Sequence, residues 1–335
     1  MIVLGIETSC DETGCGLVDG DYRVLGQSLF SQVESHARFG GVVPEVAARA
    51  HLEKIGPVFR AALGEAGLSA DAIDVIAYTR GPGLLGPLLV GSSFAQGLAK
   101  SLNKPAIGLN HLEGHLASAY LTDPAFEPPF LALLVSGGHT EFVHVGPKLE
   151  FRVLGRTRDD AAGEAFDKCG KLLGLGYPAG PEVGMLAEKG RRDFLHLPRA
   201  LMEHGNLEFS FSGLKSAVAR EAGKRDPETL LKERPDFCAS LETAIVDVLL
   251  AKTLWALEAC DEDRLIVAGG VAANTCLRLR MTELSKREGF KLVLPDKKFC
   301  GDNGVMMAAA AQKRLQLDKW PQPGGATAGL RWEGH

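Results

Sequence analysis

The stretch Ile2-Val-Leu-Gly-Ile6, followed by the polar segment Glu7–Glu12 and the apolar run Gly14–Val18, decides the fold of this chain. Two short apolar runs around a polar break are typical of strands joined by a turn. The scheme returns in the second half as Phe130–Val145, whose polar turn is Ser136-Gly-Gly-His-Thr140. This shared layout predicts an internal duplication in which one strand–turn–strand unit opens each half.

Segments with strand and helix periodicity alternate after each of these units. The predicted strands are Arg23–Ser31, Val75–Tyr78, Ala106–Leu109, Leu265–Ala268 and Leu292–Leu294, and the predicted helices start near Pro44, Leu88, Asn274 and Asn303. This alternation predicts an α/β fold of two related lobes with a cleft between them, the ribonuclease H-like architecture of actin, sugar kinases and Hsp70. We place the first lobe at 1–122, a Pro-rich connection at 123–129, the second lobe at 130–317 with a helical insertion at about 195–235, and a tail at 318–335.

The composition narrows the class of protein. Seven cysteines without C-x-x-C spacing, and no signal-peptide pattern, predict reduced thiols in a cytoplasmic protein. No apolar stretch reaches 18 residues, so no membrane span is expected. Residues 1–150 carry 9 Lys and Arg against 16 Asp and Glu, whereas residues 151–335 carry 28 against 26. A polyanion is therefore expected on the second half rather than the first.

The run His111-Leu-Glu-Gly-His115 directly follows a predicted strand. Two histidines four residues apart on a helix lie on one face and can bind one metal ion. Asp302, which precedes the last predicted helix, is a candidate third ligand, although a helix cap would explain it equally well. Glu113 lies off the metal face, so the run does not match the H-E-x-x-H pattern of zinc proteases.

Two polar turns are candidates for holding phosphate groups. In the first turn, Asp11 is the candidate general base and Glu12 is the alternate. In the second turn, Gly137 and Gly138 permit positive φ and close approach of the backbone to an anion. An ordinary polar hairpin turn would explain the first of them as well.

Three later segments add candidate nucleotide contacts. Asp167 lies in the first turns of a helix that opens with acids, which the helix dipole alone would also favour. Gly176-Tyr-Pro-Ala-Gly-Pro181 is a rigid turn suited to enclosing a ribose or base. Asn274 ends the run Gly269-Gly-Val-Ala-Ala-Asn274 between a strand and a helix, where it can bind a ribose or cap the helix.

Together, these motifs resemble those of one family, the bacterial tRNA N6-adenosine threonylcarbamoyltransferases (TsaD). The motifs occur in one order over residues 1–317: Gly5-Ile-Glu-Thr-Ser-Cys-Asp-Glu-Thr13, Thr79-Arg-Gly-Pro-Gly83, Asn110–His115, Val135–Thr140, Phe166-Asp-Lys168, Gly269-Gly-Val271 with Asn274, and Asp302-Asn-Gly304. The resemblance implies an acyltransferase that moves threonylcarbamoyl from threonylcarbamoyl-adenylate to N6 of the adenosine next to the anticodon. The implied substrates are tRNAs that read codons beginning with A, and AMP is released.

The resemblance also implies ligands and partners. By the family pattern, His111, His115 and Asp302 bind one divalent metal ion, iron or alternatively zinc. The implied contacts of the adenylate are Leu134, Val135, Ser136, Gly137, Gly138, Asp167, Gly180 and Asn274. The implied partners are tRNA, a paralogous protein called TsaB and a small ATPase called TsaE.

One position departs from the family pattern. Some relatives place an acid four residues after Gly180, against the ribose, where this chain has Gly184 with Glu182 nearby.

The surface that binds tRNA is predicted from charge. Cations of the second half are expected to contact phosphates, namely Arg191, Arg192, Lys215, Arg220, Lys224 and Arg225.

Three other functions compete with tRNA modification. A metalloprotease would use the histidine pair, but the position of Glu113 argues against it. A kinase of the same fold would not need the His-x-x-x-His pattern. A non-catalytic scaffold would need none of the three expected ligands.

Overall fold

The computed structural model describes residues 1–321 and 323–332. The chain divides into two compact units, Met1–Glu127 together with the segment from Pro295 onward, and Pro128–Leu294. Within the described residues, no helix is both long enough and apolar enough to cross a membrane.

The first unit contains a five-stranded sheet and its helices. Its elements up to residue 127 are β1 (Val3–Glu7), β2 (Glu12–Val18), β3 (Val24–Ser31), α1 (Val33–Ala37), α2 (Pro44–Ala66), β4 (Val75–Gly81), α3 (Leu85–Leu102), β5 (Ala106–Asn110) and α4 (His111–Ala117). The strand order is β3-β2-β1-β4-β5. β2 runs antiparallel to β1 and β3, whereas β4 runs parallel to β1 and β5.

The second unit repeats this sheet. Its elements are β6 (Phe130–Val135), β7 (Thr140–Val145), β8 (Phe151–Arg156), α5 (Ala162–Leu172), α6 (Gly180–Ala187), α7 (Ser212–Ala222), α8 (Pro227–Cys260), β9 (Arg264–Ala268), α9 (Thr275–Glu288) and β10 (Lys291–Val293). The order β8-β7-β6-β9-β10, with β6 antiparallel to β7 and parallel to β9, matches the first sheet strand for strand. The predicted duplication is therefore present in the topology of the chain.

The last helix, α10 (Gly304–Gln316), belongs to the first unit. It packs on the opening hairpin, where a Cβ on Gly5 would lie 2.0 Å from the Gly304 carbonyl oxygen and a Cβ on Gly16 would lie 2.7 Å from Val305 N. Strand glycines therefore allow the backbone of α10 to approach the sheet closely.

The structure differs from the predicted boundaries in two ways. Residues from Pro295 onward group with the first unit, because α10 packs on β1, whereas we expected the second lobe to extend to 317. The expected helical insertion at about 195–235 contains only α7 and the start of the 34-residue helix α8. Of the expected tail, Gln322 and residues 333–335 lie outside the described residues.

Candidate metal centre and nucleotide site

α4 begins directly after β5, so that both histidines lie beyond the carboxyl end of a strand. Asn110 caps this helix: its Oδ1 accepts a 2.9 Å hydrogen bond from Leu112 N, and its Nδ2 donates to the Arg331 carbonyl at 3.2 Å. The helix start is therefore tied both to its own first turn and to the C-terminal segment.

His111, His115 and Asp302 come together as the sequence predicted. Asp302 Oδ1 lies 3.2 Å from His115 Nε2 and 3.6 Å from His111 Nε2. The N-cap of α10 is the neighbouring Asn303, whose Oδ1 accepts from Met306 N at 2.9 Å. The capping explanation thus applies to Asn303, which leaves Asp302 to face the histidines.

Glu7 orients the first histidine from behind. Its Oε2 lies 3.1 Å from His111 Nδ1, and it also accepts hydrogen bonds from the Thr79 hydroxyl and from Ser9 N. Burial alone would lower the pKa of His111, but Glu7 and Asp302 overcome it and raise the pKa to about 9. A carboxylate behind a histidine is the usual way to fix which ring nitrogen faces a metal.

The donor set fits a divalent metal ion. Two imidazoles and one carboxylate, with ligand atoms within 4.8 Å of one another, form a combination that binds iron or zinc with coordination positions left open. A cation between the rings and Asp302 would also take the place of the proton that His111 otherwise holds beside these acids.

The residues between the two histidines have structural roles. Glu113 accepts two hydrogen bonds from Arg314 on α10, at 2.5 and 2.8 Å. A Cβ on Gly114 would lie 2.5 Å from Met307 Sδ, so the glycine lets the Met307 side chain of α10 pack directly against α4. Glu113 therefore has an ion-pair partner on the helix that follows Asp302, as expected for a residue pointing off the metal face.

The first polar turn places acids near the metal centre. Burial, Asp302 and Asp11 together raise the pKa of Glu12 to about 9, and Glu12 Oε1 accepts from the Ser31 hydroxyl at 3.1 Å. The His51 ring contacts both ends of this turn: its Nε2 lies 3.0 Å from the Cys10 carbonyl oxygen, and its Nδ1 lies 2.7 Å from the Thr13 hydroxyl. Because only a donor can face a carbonyl, Nε2 carries the proton and Nδ1 accepts from Thr13.

In the second unit, the backbone of the turn after β6 is exposed to solvent and is not covered by side chains. Gly137 and Gly138 are exposed, a Cβ on either would meet open space, and neither N–H donates to an acceptor in the described part of the chain. Neither glycine adopts the positive φ that glycine permits. Because these two glycines have no side chains, a ligand can reach both of their N–H groups.

Other glycines bring the surrounding backbone close to this turn. A Cβ on Gly163, in the first turn of α5, would lie 2.6 Å from the Ser136 carbonyl oxygen and 2.9 Å from Gly137 N. Gly269 has φ +93°, and its Cβ would lie 2.5 Å from the Val135 carbonyl oxygen. The turn, the start of α5 and the segment after β9 therefore meet at one edge of the second sheet.

The remaining predicted nucleotide contacts have partners within the second unit. Asp167 Oδ1 accepts from Ala179 N at 2.8 Å and from Gly180 N at 3.1 Å, which fixes the start of α6. Burial raises the pKa of Asp167 despite these two bonds. Asn274 caps α9 by accepting from Leu277 N at 2.8 Å. The Leu134 and Val135 side chains are fully buried in β6, so only their backbone is available to a ligand.

Sequence reasoning missed three buried charged residues that contact the candidate site residues: Glu7, Arg314, and Glu242, whose Oε1 accepts a 2.7 Å hydrogen bond from Asn274 Nδ2. Glu7 was read only as part of a polar turn, although a charged residue at the end of an apolar strand is a signal of use. Arg314 lies in a polar stretch of α10 that the sequence alone would place on the surface, and Glu242 lies inside α8. Both residues are buried. No local pattern separates them from surface charges.

Comparisons with known proteins identify the family of this chain. The family model described as TsaD, tRNA N6-adenosine threonylcarbamoyltransferase, matches residues 23–309. A protein of Burkholderia ambifaria named tRNA N6-adenosine threonylcarbamoyltransferase is 48% identical over 99% of this chain and 98% of its own length. A protein of the same name from Thermosipho africanus is 48% identical over 93% of this chain and 94% of its own length.

Among solved structures, the similarity extends to distant proteins. Full-length HypF in its phosphate- and nucleotide-bound form has a TM-score of 0.60 at 14% identity, covering 95% of this chain and 56% of that one. Component A of (R)-2-hydroxyglutaryl-CoA dehydratase from Acidaminococcus fermentans has a TM-score of 0.54 at 14% identity, covering 94% and 99%. At this identity, the likeness supports the α/β fold alone.

Proposed function

This chain belongs to the TsaD family of tRNA N6-adenosine threonylcarbamoyltransferases, and from that premise we propose which of its residues bind the metal, the acyl donor and the tRNA. It is a transferase that modifies tRNA, and neither peptide hydrolysis nor a kinase reaction is favoured. The observation that carries the proposal is the convergence of His111, His115 and Asp302, with Glu7 behind the first histidine. We expect the reaction to take place in the cytoplasm.

We propose that these three ligands hold one divalent ion, iron in preference to zinc. When bound, the ion would supply Lewis acidity and a fixed anchoring point for the substrate. Glu7 keeps His111 in the orientation that directs Nε2 towards Asp302, and the Glu113–Arg314 pair keeps α4 against α10. These contacts support a preformed rather than a ligand-assembled site.

We propose that the acyl donor is threonylcarbamoyl-adenylate and that the second unit binds its AMP part. The free N–H groups of Gly137 and Gly138 suit the phosphate, which carries the charge that such backbone sites prefer. Asp167, Gly180 and Asn274 lie on the elements around this turn and complete the contacts. Leu134 and Val135 contribute through their backbone.

The chemistry is acyl transfer to a weak nucleophile. The adenine N6 forms a bond to the carbamoyl carbon, the bond from that carbon to the phosphate oxygen breaks, and AMP leaves with the electron pair. The N6 lone pair is delocalised into the ring, so positioning and late removal of the N6 proton should dominate catalysis. We propose Asp11 as the group that takes this proton, with Glu12 as the alternate.

Some of the cations expected to bind tRNA already form ion pairs with carboxylates of the chain, and others do not. Arg191 pairs with Asp236, whereas Arg220, Lys224 and Arg225 lie around Glu221. Arg192 and Lys215 are exposed and form no ion pair within the described residues. We therefore propose that these last two make the strongest phosphate contacts of the set, because neither is held in an ion pair.

We also propose that the first unit docks a paralogous partner, TsaB, through exposed leucines, and that the ATPase TsaE acts with the pair. Leu52 on α2 is 70% exposed, and Leu85 and Leu89 on α3 are 51% and 49% exposed. Gly86 packs against Ala48 where the two helices cross, so the three leucines lie within about one turn of a single point. Clustered exposed leucines mark interaction surfaces.

Transfer of labelled threonylcarbamoyl from preformed adenylate to tRNA tests the proposal. Wild-type protein with its partners should modify the tRNA, and a chelator should abolish transfer until metal is restored. Single-turnover transfer should fall at least about a hundredfold in Asp11→Ala. A rate within about threefold of wild type would exclude Asp11 as the base, and transfer that is indifferent to chelator would refute the metal's role.

A further inference from the structure

A buried carboxyl group of the second unit has no cation at ion-pair distance within the described residues. Glu242, on α8, is 3% exposed, and its Oε1 accepts a 2.7 Å hydrogen bond from Asn274 Nδ2. Burial raises its pKa, although hydrogen bonds from Asn274 and from the Cys276 thiol, and the positive charge of Arg192, oppose the rise. Burying a carboxyl group without an ion-pair contact costs stability, which makes a functional role worth testing.

Gly184 leaves space beside this group. A Cβ on Gly184 would lie 3.5 Å from Asn274 Nδ2 and 3.7 Å from Glu242 Oε1, both ordinary contact distances. Gly184 and Asn274 are both partly exposed, so the Asn274–Glu242 pair lies just beneath the surface of α6, at a position where no side chain covers it. Glu182 lies two residues earlier on α6, so its side chain projects from a different face of the helix.

We propose that Glu242, together with Asn274, binds the ribose hydroxyls of the adenylate through the opening that Gly184 leaves. A carboxylate accepts hydrogen bonds from ribose hydroxyls in many nucleotide sites. Asn274 Nδ2 has a second proton to donate after its bond to Glu242. The assignment rests on the nucleotide site proposed for the second unit, and it adds the residue that selects ribonucleotides.

AMP and its 2′-deoxy and 3′-deoxy analogues, titrated calorimetrically into the purified chain, test this assignment. For wild-type protein, removal of a bound hydroxyl should weaken binding about tenfold, the effect of one charge-assisted hydrogen bond. Glu242→Gln should weaken AMP binding by a similar factor and bind the analogues within about threefold of AMP. Glu182→Gln is the matched control and should keep the full wild-type preference for AMP.

An exchange of the acid between helices provides a second test. Gly184→Asp combined with Glu242→Gln moves the carboxylate from α8 to α6 without steric conflict at Cβ, and should restore the preference for AMP. Glu242→Asp keeps the charge but withdraws it by one methylene, and should lose the preference even if Glu242→Gln does not fold. Thermal unfolding establishes that each variant is folded.

The outcomes separate this inference from the proposed function. If folded Glu242→Gln and Glu242→Asp both keep the wild-type preference, the inference is overturned while the nucleotide site stands. If AMP binds wild-type protein but Gly137→Val and Asp167→Asn leave its affinity unchanged, the nucleotide site itself is misplaced.

Discussion

Arg314 and Glu113 form a buried two-bond ion pair that joins the helix carrying both histidines to the helix that follows Asp302. The Nε–Oε1 and Nη2–Oε2 distances are 2.5 and 2.8 Å, and the two side chains are 6% and 5% exposed. Parallel bonds of this kind fix orientation as well as distance. The glutamate inside His111-Leu-Glu-Gly-His115 thus helps to set the relative position of the three proposed metal ligands.

We expect Glu113→Gln to destabilise the protein by about 3 kcal/mol, because it leaves the Arg314 guanidinium buried without its counter-charge. Weaker metal binding should accompany the loss. Chemical denaturation and Co²⁺ titration measure the two effects. The double variant Glu113→Leu with Arg314→Met should recover much of the stability but not the metal affinity. Equal metal affinity in all three proteins would contradict a positioning role for the pair.

Removing the carboxylate behind His111 should weaken metal binding while leaving all three ligands in place. We expect Glu7→Gln to lower metal affinity about 10- to 100-fold, the usual effect of losing such an orienting group. Glu262→Gln is the matched control, because Glu262 lies 2.9 Å from His144 Nε2 in a similar contact within the second unit. Competition titration with a chromophoric chelator gives both affinities, and an equal effect of the two variants would argue against an orienting role.

A methyl group on Gly163 should displace the turn at Ser136–Gly138, which we propose binds the phosphate. The added Cβ would lie 2.6 Å from the Ser136 carbonyl oxygen and 2.9 Å from Gly137 N, so the turn must move. We expect Gly163→Ala to weaken AMP binding at least about tenfold. Gly213→Ala, at the start of α7, adds a methyl group in open space and should be neutral or slightly stabilising. Unchanged AMP affinity in Gly163→Ala would speak against the turn as the phosphate site.

Charge reversal on α7 should distinguish a free cation from a paired one. We expect Lys215→Glu to weaken tRNA binding and to reduce its salt dependence, because a phosphate contact is lost. Lys224→Glu should have a smaller effect, since Glu221 lies 2.8 Å from Lys224 Nζ and already competes for its charge. Filter binding at several salt concentrations measures both slopes. Equal effects would show that general charge, not a local contact, governs binding.

Polar substitutions on the exposed leucines of α3 should prevent partner docking. We expect Leu85→Asp with Leu89→Asp to abolish co-elution with the paralogous partner while leaving AMP binding intact, because docking would bury both carboxylates. Leu279→Asp is the control, since Leu279 is 58% exposed but lies on α9 of the second unit. Loss of co-elution in the control would show that the effect is not specific to this surface.

Local pattern was sufficient for most elements and for the ligand-bearing helix. The apolar runs around residues 2–18 and 130–145 correspond to matching hairpins in two sheets of the same order, because strand periodicity depends on near neighbours. The strand at 106–110 and the helix with both histidines were predicted for the same reason. The strand Phe151–Arg156 and the length of α8 were missed, since neither has a clear local signature.

The sequence by itself determined the duplicated α/β architecture, the pairing of His111 with His115, and the family, because these depend on spacings of a few residues or on ordered motifs. Only the tertiary structure decided that Asn303 caps α10 while Asp302 faces the histidines, that Glu7 supports His111, and that Glu242 lies beside Asn274. Glu7 and His111 are 104 residues apart, and Glu242 and Asn274 are 32 apart. Contacts over such separations depend on how helices and sheets pack, which short-range periodicity does not encode.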